Sequence, residues 1–382
     1  MMSVKPDALG ASKAGDFAAT PRAERVSVLV LGKGTVGGSL LSQIAGASET
    51  LASRYDVEVR VVGAVDSRAS VFDELGFRAE IVRERLVQAR NEQGTPGDTI
   101  DALLVKLARL PAPVLVDCTA SDGMERVYAA AFARGIHVVT ANKKPLAVEW
   151  SAREALFGAQ RSARRAFRYE TTVGASLPVV ETLRNLVRTG DRIARIEGSL
   201  SGTLGYLSNE VSLGRRLSVA VREAHARGYT EPHPRDDLAG TDVARKVLIF
   251  AREVGIPLEL DDVVVEPFVP IGLLAHDSVE AFLHALEAHD DAFDTRVREL
   301  RERGLVLRYL ASVDPFARAA KVGPVAVPLD HPAAGLRGTE ALVSFATERY
   351  ADYPLVVRGA GAGGEVTAAG VLADILAIAR PW

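Results

Sequence analysis

Val26-Ser27-Val28-Leu29-Val30-Leu31 is a short apolar run with the composition of a strand buried in a parallel sheet. It leads directly into Gly32-Lys33-Gly34-Thr35-Val36-Gly37, and the stretch from Gly38 to Ala45 reads as a helix. Bare backbone at the glycines can approach a pyrophosphate, and the N-terminus of the following helix attracts its charge. Glycines at this spacing are weak evidence alone, because a tight turn that merely packs a helix on a strand needs them too. The strand before them and the helix after them favour a dinucleotide site.

The residues that follow extend an open parallel sheet. Val57 to Val65 reads as a second strand ending at Asp66, where an acid commonly accepts hydrogen bonds from the adenosine ribose and favours NAD. Arg68 lies two residues on, where it could pair with the extra phosphate of NADP, although taken alone it reads first as a solvated surface charge. Lys33 is another cation able to reach this region, so the sequence leaves the choice between NAD and NADP open. Residues 69–112 read as mixed helix and polar loop, with an excursion from Asn91 to Asp98. Val114 to Thr119 is a further strand, and Thr119 and Ala120 fall at its C-terminal edge, where such sheets hold ligands. Met124 to Arg134 is helical, Ile136 to Thr140 is the next strand, and Lys143 follows it at the crevice.

Beyond the basic run Arg161 to Arg168, Phe167 to Tyr169 reads as a strand entering Glu170-Thr-Thr-Val-Gly-Ala-Ser-Leu-Pro178. Composition alone makes Glu170 a capping acid; carbonyls beside it offer the oxygen ligands a hard monovalent cation takes. Pro178 to Arg188 reads as a helix and Arg192 to Ser199 as a strand. The turn at Gly202 and Thr203 can bring amides and a hydroxyl to a substrate carboxylate.

The run Gly228-Tyr-Thr-Glu-Pro-His-Pro-Arg-Asp-Asp-Leu-Ala-Gly-Thr-Asp-Val-Ala-Arg-Lys246 concentrates the chemistry. Its prolines and glycines predict an ordered loop over Tyr229–Gly240, with Thr241 as the N-cap of a helix that Gly255 stops. Val243, Val247, Phe250 and Val254 form its buried stripe. Asp242 and Lys246 share a face roughly 6 Å apart along the axis. An isolated pair of this kind is usually a solvated ion pair worth about 0.3–0.5 kcal/mol. Here the loop also delivers Glu231, Asp236 and Asp237 to the helix start, and a lysine among acids can supply a proton beside an ammonium-bearing substrate.

Residues 256–304 read as a largely helical, charge-paired scaffold. Leu305–Val313, Ala319–Val327 and Glu340–Arg349 are strand-like and predict an antiparallel sheet, a common dimer surface. The glycine-rich stretch Gly359 to Gly370 precedes an apolar helix, Val371 to Ala379, expected to close over the cofactor and rejoin the first domain. A net charge of −3 over 382 residues argues against a nucleic-acid or anionic-membrane surface. Cys118 is the sole cysteine, which fits a reducing cytoplasm, and no stretch reads as a signal peptide or membrane span. The seven histidines show no zinc spacing.

The Gly228–Lys246 run closely resembles the substrate-site signature of homoserine dehydrogenases. Gly32–Gly37, Thr140–Lys144, Tyr169–Pro178, Glu197–Tyr206, His331-Pro332 with Gly338-Thr339 and Glu348-Arg349-Tyr350, and Gly359–Gly370 are similar to the same family in its order, over about residues 25–380. The resemblance implies an α/β protein with a Rossmann-type doubly wound parallel sheet plus an α+β catalytic and dimerisation domain. The expected division is a flexible tail over 1–24, a dinucleotide-binding domain over 25–168 with 364–382, and a substrate domain over 169–363. It further implies reversible reduction of L-aspartate 4-semialdehyde to L-homoserine with NADPH or NADH, in a homodimer.

By the same resemblance Lys246 is the acid/base, with Lys143 assisting and touching the cofactor. Glu231, Asp237 and Asp242 hold the substrate ammonium or orient Lys246, and Tyr229, Gly202 and Thr203 line the pocket. Gly32, Gly34, Thr35, Val36, Gly37, Asp66, Arg68, Thr119, Ala120 and Gly363 contact the cofactor. Glu170 with the carbonyls of Val173, Ala175 and Leu177 matches the family's sodium site, although Ser176 stands where some relatives have glycine. With no room for an amino-acid-sensing domain or aspartate kinase before Trp382, built-in feedback regulation is not expected. Two other readings are a relative acting on a different amino-acid semialdehyde and a dinucleotide sensor without catalysis; loss of Lys246 or Lys143 would mark the latter, and both are present.

Overall fold

The computed structural model describes residues 24–91 and 98–379. The expected tail before Glu24, and residues 92–97 of the expected polar excursion, lie outside the described residues. The first domain alternates strand and helix: β1 (Glu24–Leu31), α1 (Thr35–Tyr55), β2 (Val57–Val65), β3 (Ser70–Phe77), α2 (Val82–Asn91), α3 (Ile100–Leu107), β4 (Pro113–Asp117), α4 (Met124–Ala133), β5 (His137–Thr140), α5 (Trp150–Ala163) and β6 (Phe167–Arg168). Its sheet runs β3-β2-β1-β4-β5-β6. Every pairing is parallel except that of β2 with β3. The reversal between β2-β1 and β4 opens the crevice at the carboxyl ends of β1 and β4, the position at which doubly wound sheets hold ligands.

The second domain contains α6 (Val180–Arg188), β7 (Ile193–Ser199), α7 (Gly202–Ser212), α8 (Leu217–Ala226), α9 (Pro234–Leu238), α10 (Thr241–Glu253), β8 (Val264–Val265), α11 (Val279–Glu287), α12 (Asp290–Glu302), β9 (Leu305–Asp314), β10 (Ala319–Pro328), β11 (Glu340–Thr347) and β12 (Leu355–Ala360). Its sheet order is β12-β11-β7-β9-β10-β8, antiparallel throughout except for β8 against β10. The expected late antiparallel sheet therefore exists, and β7 is inserted at its centre. A last helix, α13 (Gly364–Ala379), carries the chain back to the first domain, where Ala368, Val371 and Ile375 pack with Leu40, Leu41 and Ile44 of α1.

Four local expectations need correction. Residues 69–112 hold the strand β3 as well as helices; its Asp73, Glu74 and Leu75 are exposed, so this sheet edge lacks the apolar alternation that would announce a strand. The loop between Tyr229 and Gly240 is interrupted by α9, where Pro234 takes the first helical turn that proline tolerates and His233 Nδ1 accepts from the Arg235 amide. Thr241 is the first residue of α10 and not its N-cap, because Gly240, at φ +76°, turns the chain immediately before it. The C-terminal helix begins at Gly364, seven residues before Val371, since packing outweighs the weak helix propensity of glycine.

Candidate active site

α10 faces two environments. Val243, Val247 and Phe250 are buried, as the stripe predicts, while Asp242 and Lys246 point off the other side of the rod. Lys246 Nζ donates to Asp242 Oδ2 at 2.7 Å and to the Leu200 carbonyl at 2.8 Å. The remaining oxygen, Asp242 Oδ1, lies 2.9 Å from Lys143 Nζ, which arrives from the first domain just past β5. One carboxylate thus gathers two ammonium groups from two domains. Burial alone would raise the pKa of Asp242, but Lys246 and Lys143 together pull it well below the usual carboxylate range. The Lys246 side chain is 15% exposed and the Lys143 side chain 31%, so both are sheltered yet reachable.

The neighbouring acids behave differently. The Thr203 hydroxyl donates to the Tyr229 carbonyl at 2.6 Å and lies 3.0 Å from Asp237 Oδ1, while Asp237 Oδ2 accepts the Glu231 amide at 2.7 Å. Burial, assisted by the charges of Glu231 and Asp242, raises the pKa of Asp237 despite those hydrogen bonds. The Glu231 side chain is exposed, so only its backbone is tied into the cluster. Tyr229 stacks edge-on to Tyr206 of α7 at 5.4 Å. Gly202 and Thr203 open α7, whose N-cap Ser201 accepts the Leu204 amide. Asp236 faces solvent beside Arg235 and is not brought into the cluster.

The glycine turn sits where the sheet order predicts. A side chain on Gly37 would place Cβ 2.0 Å from the Gly32 carbonyl, so the turn tolerates only glycine there. One at Gly34 would meet nothing within 4 Å, leaving open backbone at the start of α1. A cavity of about 550 Å³ runs from Gly32 and Gly34 along Asp66 to Thr119 and Ala120. Its shape and bare amide rim fit a dinucleotide pyrophosphate and ribose. Thr35, Val36 and Gly37 form the first turn of α1, and Gly364, next to Gly363, packs so closely that a Cβ there would lie 2.3 Å from Thr35 Cγ2. The Lys143 loop is stitched to this cavity, because the Asn142 side-chain Nδ2 donates to the carbonyl of Ser121, one of the cavity's lining residues, at 2.8 Å.

At the ribose end the structure adds a residue that sequence reading missed. Arg90 of α2 forms an ion pair with Asp66 Oδ2, and Lys33 Nζ lies 3.9 Å from the same oxygen. Asp66 Oδ1 accepts the Arg68 and Ala69 amides. Burial opposes ionisation of Asp66, but these hydrogen bonds and Arg90 lower its pKa overall. Arg68 itself is exposed and contributes its backbone, whereas its guanidinium is not part of the cavity wall. Nothing local in the sequence marks Arg90, which lies in the segment read as mixed helix and loop.

The Glu170 carboxylate accepts the Val180 and Glu181 amides at 2.7 and 2.9 Å, capping the start of α6 as composition alone favours. Val173, Ala175 and Leu177 follow in the loop; Ala175 sits at φ +55° and the Leu177 carbonyl accepts the Val179 amide at 2.8 Å. Asp374 of α13 accepts the Glu170 amide, and burial followed by the Glu170 charge pushes its pKa up to about 7.

A family model described as homoserine dehydrogenase matches residues 178–376, and one described as homoserine dehydrogenase, NAD binding domain, matches residues 32–170. A bifunctional aspartokinase/homoserine dehydrogenase of Zea mays chloroplasts is 40% identical over 354 residues, 92% of this chain and 38% of that protein. The chain therefore spans well under half of such bifunctional relatives. The homoserine dehydrogenase of Schizosaccharomyces pombe is 36% identical over 92% of this chain and 95% of its own length. Among solved structures, a putative homoserine dehydrogenase from Archaeoglobus fulgidus superposes with a TM-score of 0.72 at 27% identity, covering 92% of this chain and 99% of that one.

Proposed function

The chain belongs to the homoserine dehydrogenase family, and from that membership we propose that it reversibly reduces L-aspartate 4-semialdehyde to L-homoserine with NADPH or NADH, a step of threonine and methionine biosynthesis. One observation carries the reading: Lys143 and Lys246, delivered by different domains, meet on the two oxygens of Asp242, and Asn142, next to Lys143, is tied to Ser121 of the glycine-turn cavity.

The nicotinamide supplies the hydride when it is bound. Hydride addition to an aldehyde leaves negative charge developing on oxygen, and an ammonium within hydrogen-bonding reach can neutralise it by giving up a proton. Lys246 takes that role, held in place by Asp242 and the Leu200 carbonyl. Lys143 holds the other side of Asp242 and lies towards the cofactor crevice. Glu231 and Asp237 receive the substrate ammonium, while the turn at Gly202 and Thr203 with Tyr229 forms the wall. Gly32 to Gly37, Asp66, Thr119, Ala120 and Gly363 hold the dinucleotide, with Arg90 added at the ribose.

The proposal includes a monovalent cation such as sodium on the carbonyls of Val173, Ala175 and Leu177, with Glu170 shaping the loop from α6. It also includes a cytoplasmic homodimer paired through the second sheet. The compartment is supported by the presence of a single cysteine, Cys118, in the whole sequence. Among the described residues no helix is long and apolar enough to cross a membrane.

The test is an assay of the purified protein with aspartate semialdehyde and each coenzyme, alongside other amino-acid semialdehydes. NADPH or NADH consumption fastest with aspartate semialdehyde supports the proposal. Turnover confined to a different semialdehyde, or coenzyme binding without turnover, contradicts it.

A further inference from the structure

The C-terminal end of α10 carries a second cross-domain junction that the chemistry above does not use. Arg252 is buried, its side chain fully so, in a position that costs heavily unless every donor is satisfied. Its Nη1 donates to the carbonyls of Leu146 and Val148 at 2.8 and 2.7 Å, its Nε to the Leu258 carbonyl at 3.0 Å, and its Nη2 to Glu259 at 3.0 Å. Glu259 in turn accepts the Trp150 amide at the start of α5. The adjacent Glu253 receives Arg153 of α5 at 3.0 Å and the Tyr169 hydroxyl at 2.6 Å. Burial and the neighbouring Arg153 bring the Arg252 pKa down to about 10, so the guanidinium is charged at neutral pH.

Leu146 and Val148 belong to the segment that begins with Lys143. Upstream, Asn142 is fixed inside the first domain by Asp117 and the Ser121 carbonyl. Downstream, Leu146 is buried in the core and the Trp150 amide is held by Glu259, and the Leu146 and Val148 carbonyls between Lys143 and α5 are taken by Arg252 from the second domain. The same rigid helix therefore holds the Lys143 ammonium through Asp242 at one end and the Lys143 loop through Arg252 at the other. Between them stands Lys246. We infer that Arg252 is a positioning residue for Lys143: by clasping the Leu146 and Val148 carbonyls, it sets the height of the Lys143 loop along α10, so that both ammoniums reach Asp242. The inference rests on the proposed role of Lys143 and assigns Arg252 no contact with substrate or cofactor.

Misplacement of a reacting group by about 1 Å costs up to a hundredfold in rate, and that scale sets the expectation. A double-mutant cycle separates positioning from general stabilisation. Arg252→Gln is expected to lower kcat about tenfold or more with little change in the KM for NADPH. Lys143→Ala lowers kcat as well, and the double variant should be no slower than Lys143→Ala alone, because Arg252 acts only through that lysine. Arg252→Lys, which keeps the charge and part of the grip, should recover part of the rate; it enters the same cycle if Arg252→Gln does not fold. Losses that multiply in the double variant, or an Arg252 variant with full kcat, overturn the inference while leaving the role of Lys143 intact. A Lys143→Ala enzyme of normal kcat instead refutes the reading of Lys143, and the inference falls with it.

Discussion

Asp242 decides whether two positive charges can coexist at one point. With its carboxylate ionised, Lys143 and Lys246 each find a partner within 2.9 Å. Replacing it by asparagine keeps the shape and leaves two ammoniums facing each other with no counter-charge. Asp242→Asn is therefore expected to lower kcat roughly 10- to 100-fold, measured by steady-state kinetics at saturating coenzyme. A turnover within about twofold of normal would show that the carboxylate does not organise the lysines. The spacing of Asp242 and Lys246 was readable, because helical geometry fixes which residues share a face. The approach of Lys143 and of the Leu200 carbonyl was not, since both come from elsewhere in the fold. The family resemblance named Lys143 without saying what holds it. Arg90 carried no signal at all: its partner Asp66 lies twenty-four positions earlier, across β3, an element that periodicity did not reveal.

At the scale of elements, the strands with continuous apolar runs were legible and the irregular edges were not. β1, β2, β4 and β5 are buried in their sheet and read plainly as such. β3, α9 and the start of α13 depend on partners: a sheet edge, a proline at a helix start, and a glycine packed on Thr35. The junction of β5 with β6 gives a titratable element. His137 Nδ1 accepts the Ala166 amide at 2.9 Å, which requires that nitrogen to be unprotonated. Burial first, and the Arg165 charge second, pull its pKa from 6.5 down to about 4. The unfolded chain therefore binds a proton more readily than the folded one. The stability from neutral His137 is complete above about pH 6.5 and is lost as pH falls through about 4. Denaturant titrations from pH 7 to pH 4 should show this loss, and His137→Gln should flatten it. Equal slopes for the two proteins across that window would contradict the assignment.

Over the whole molecule, the parallel first sheet and the late antiparallel sheet were both foreseeable from pattern. The insertion of β7 between β11 and β9 was not, because a single strand does not announce its neighbours. That insertion matters for the site. β7 leads into Leu200 and the α7 turn, so the second sheet places the carbonyl that holds Lys246. The first sheet places Lys143 and the glycine turn, and α10 spans the gap between them. A reaction run here depends on an ammonium presented at the meeting of two domains, and one measurement tests that directly: kcat for aspartate semialdehyde reduction by Lys246→Ala, with NADPH affinity determined by fluorescence titration. The account predicts a loss of about a hundredfold or more in kcat with coenzyme affinity nearly unchanged. Near-normal turnover in that variant would contradict it.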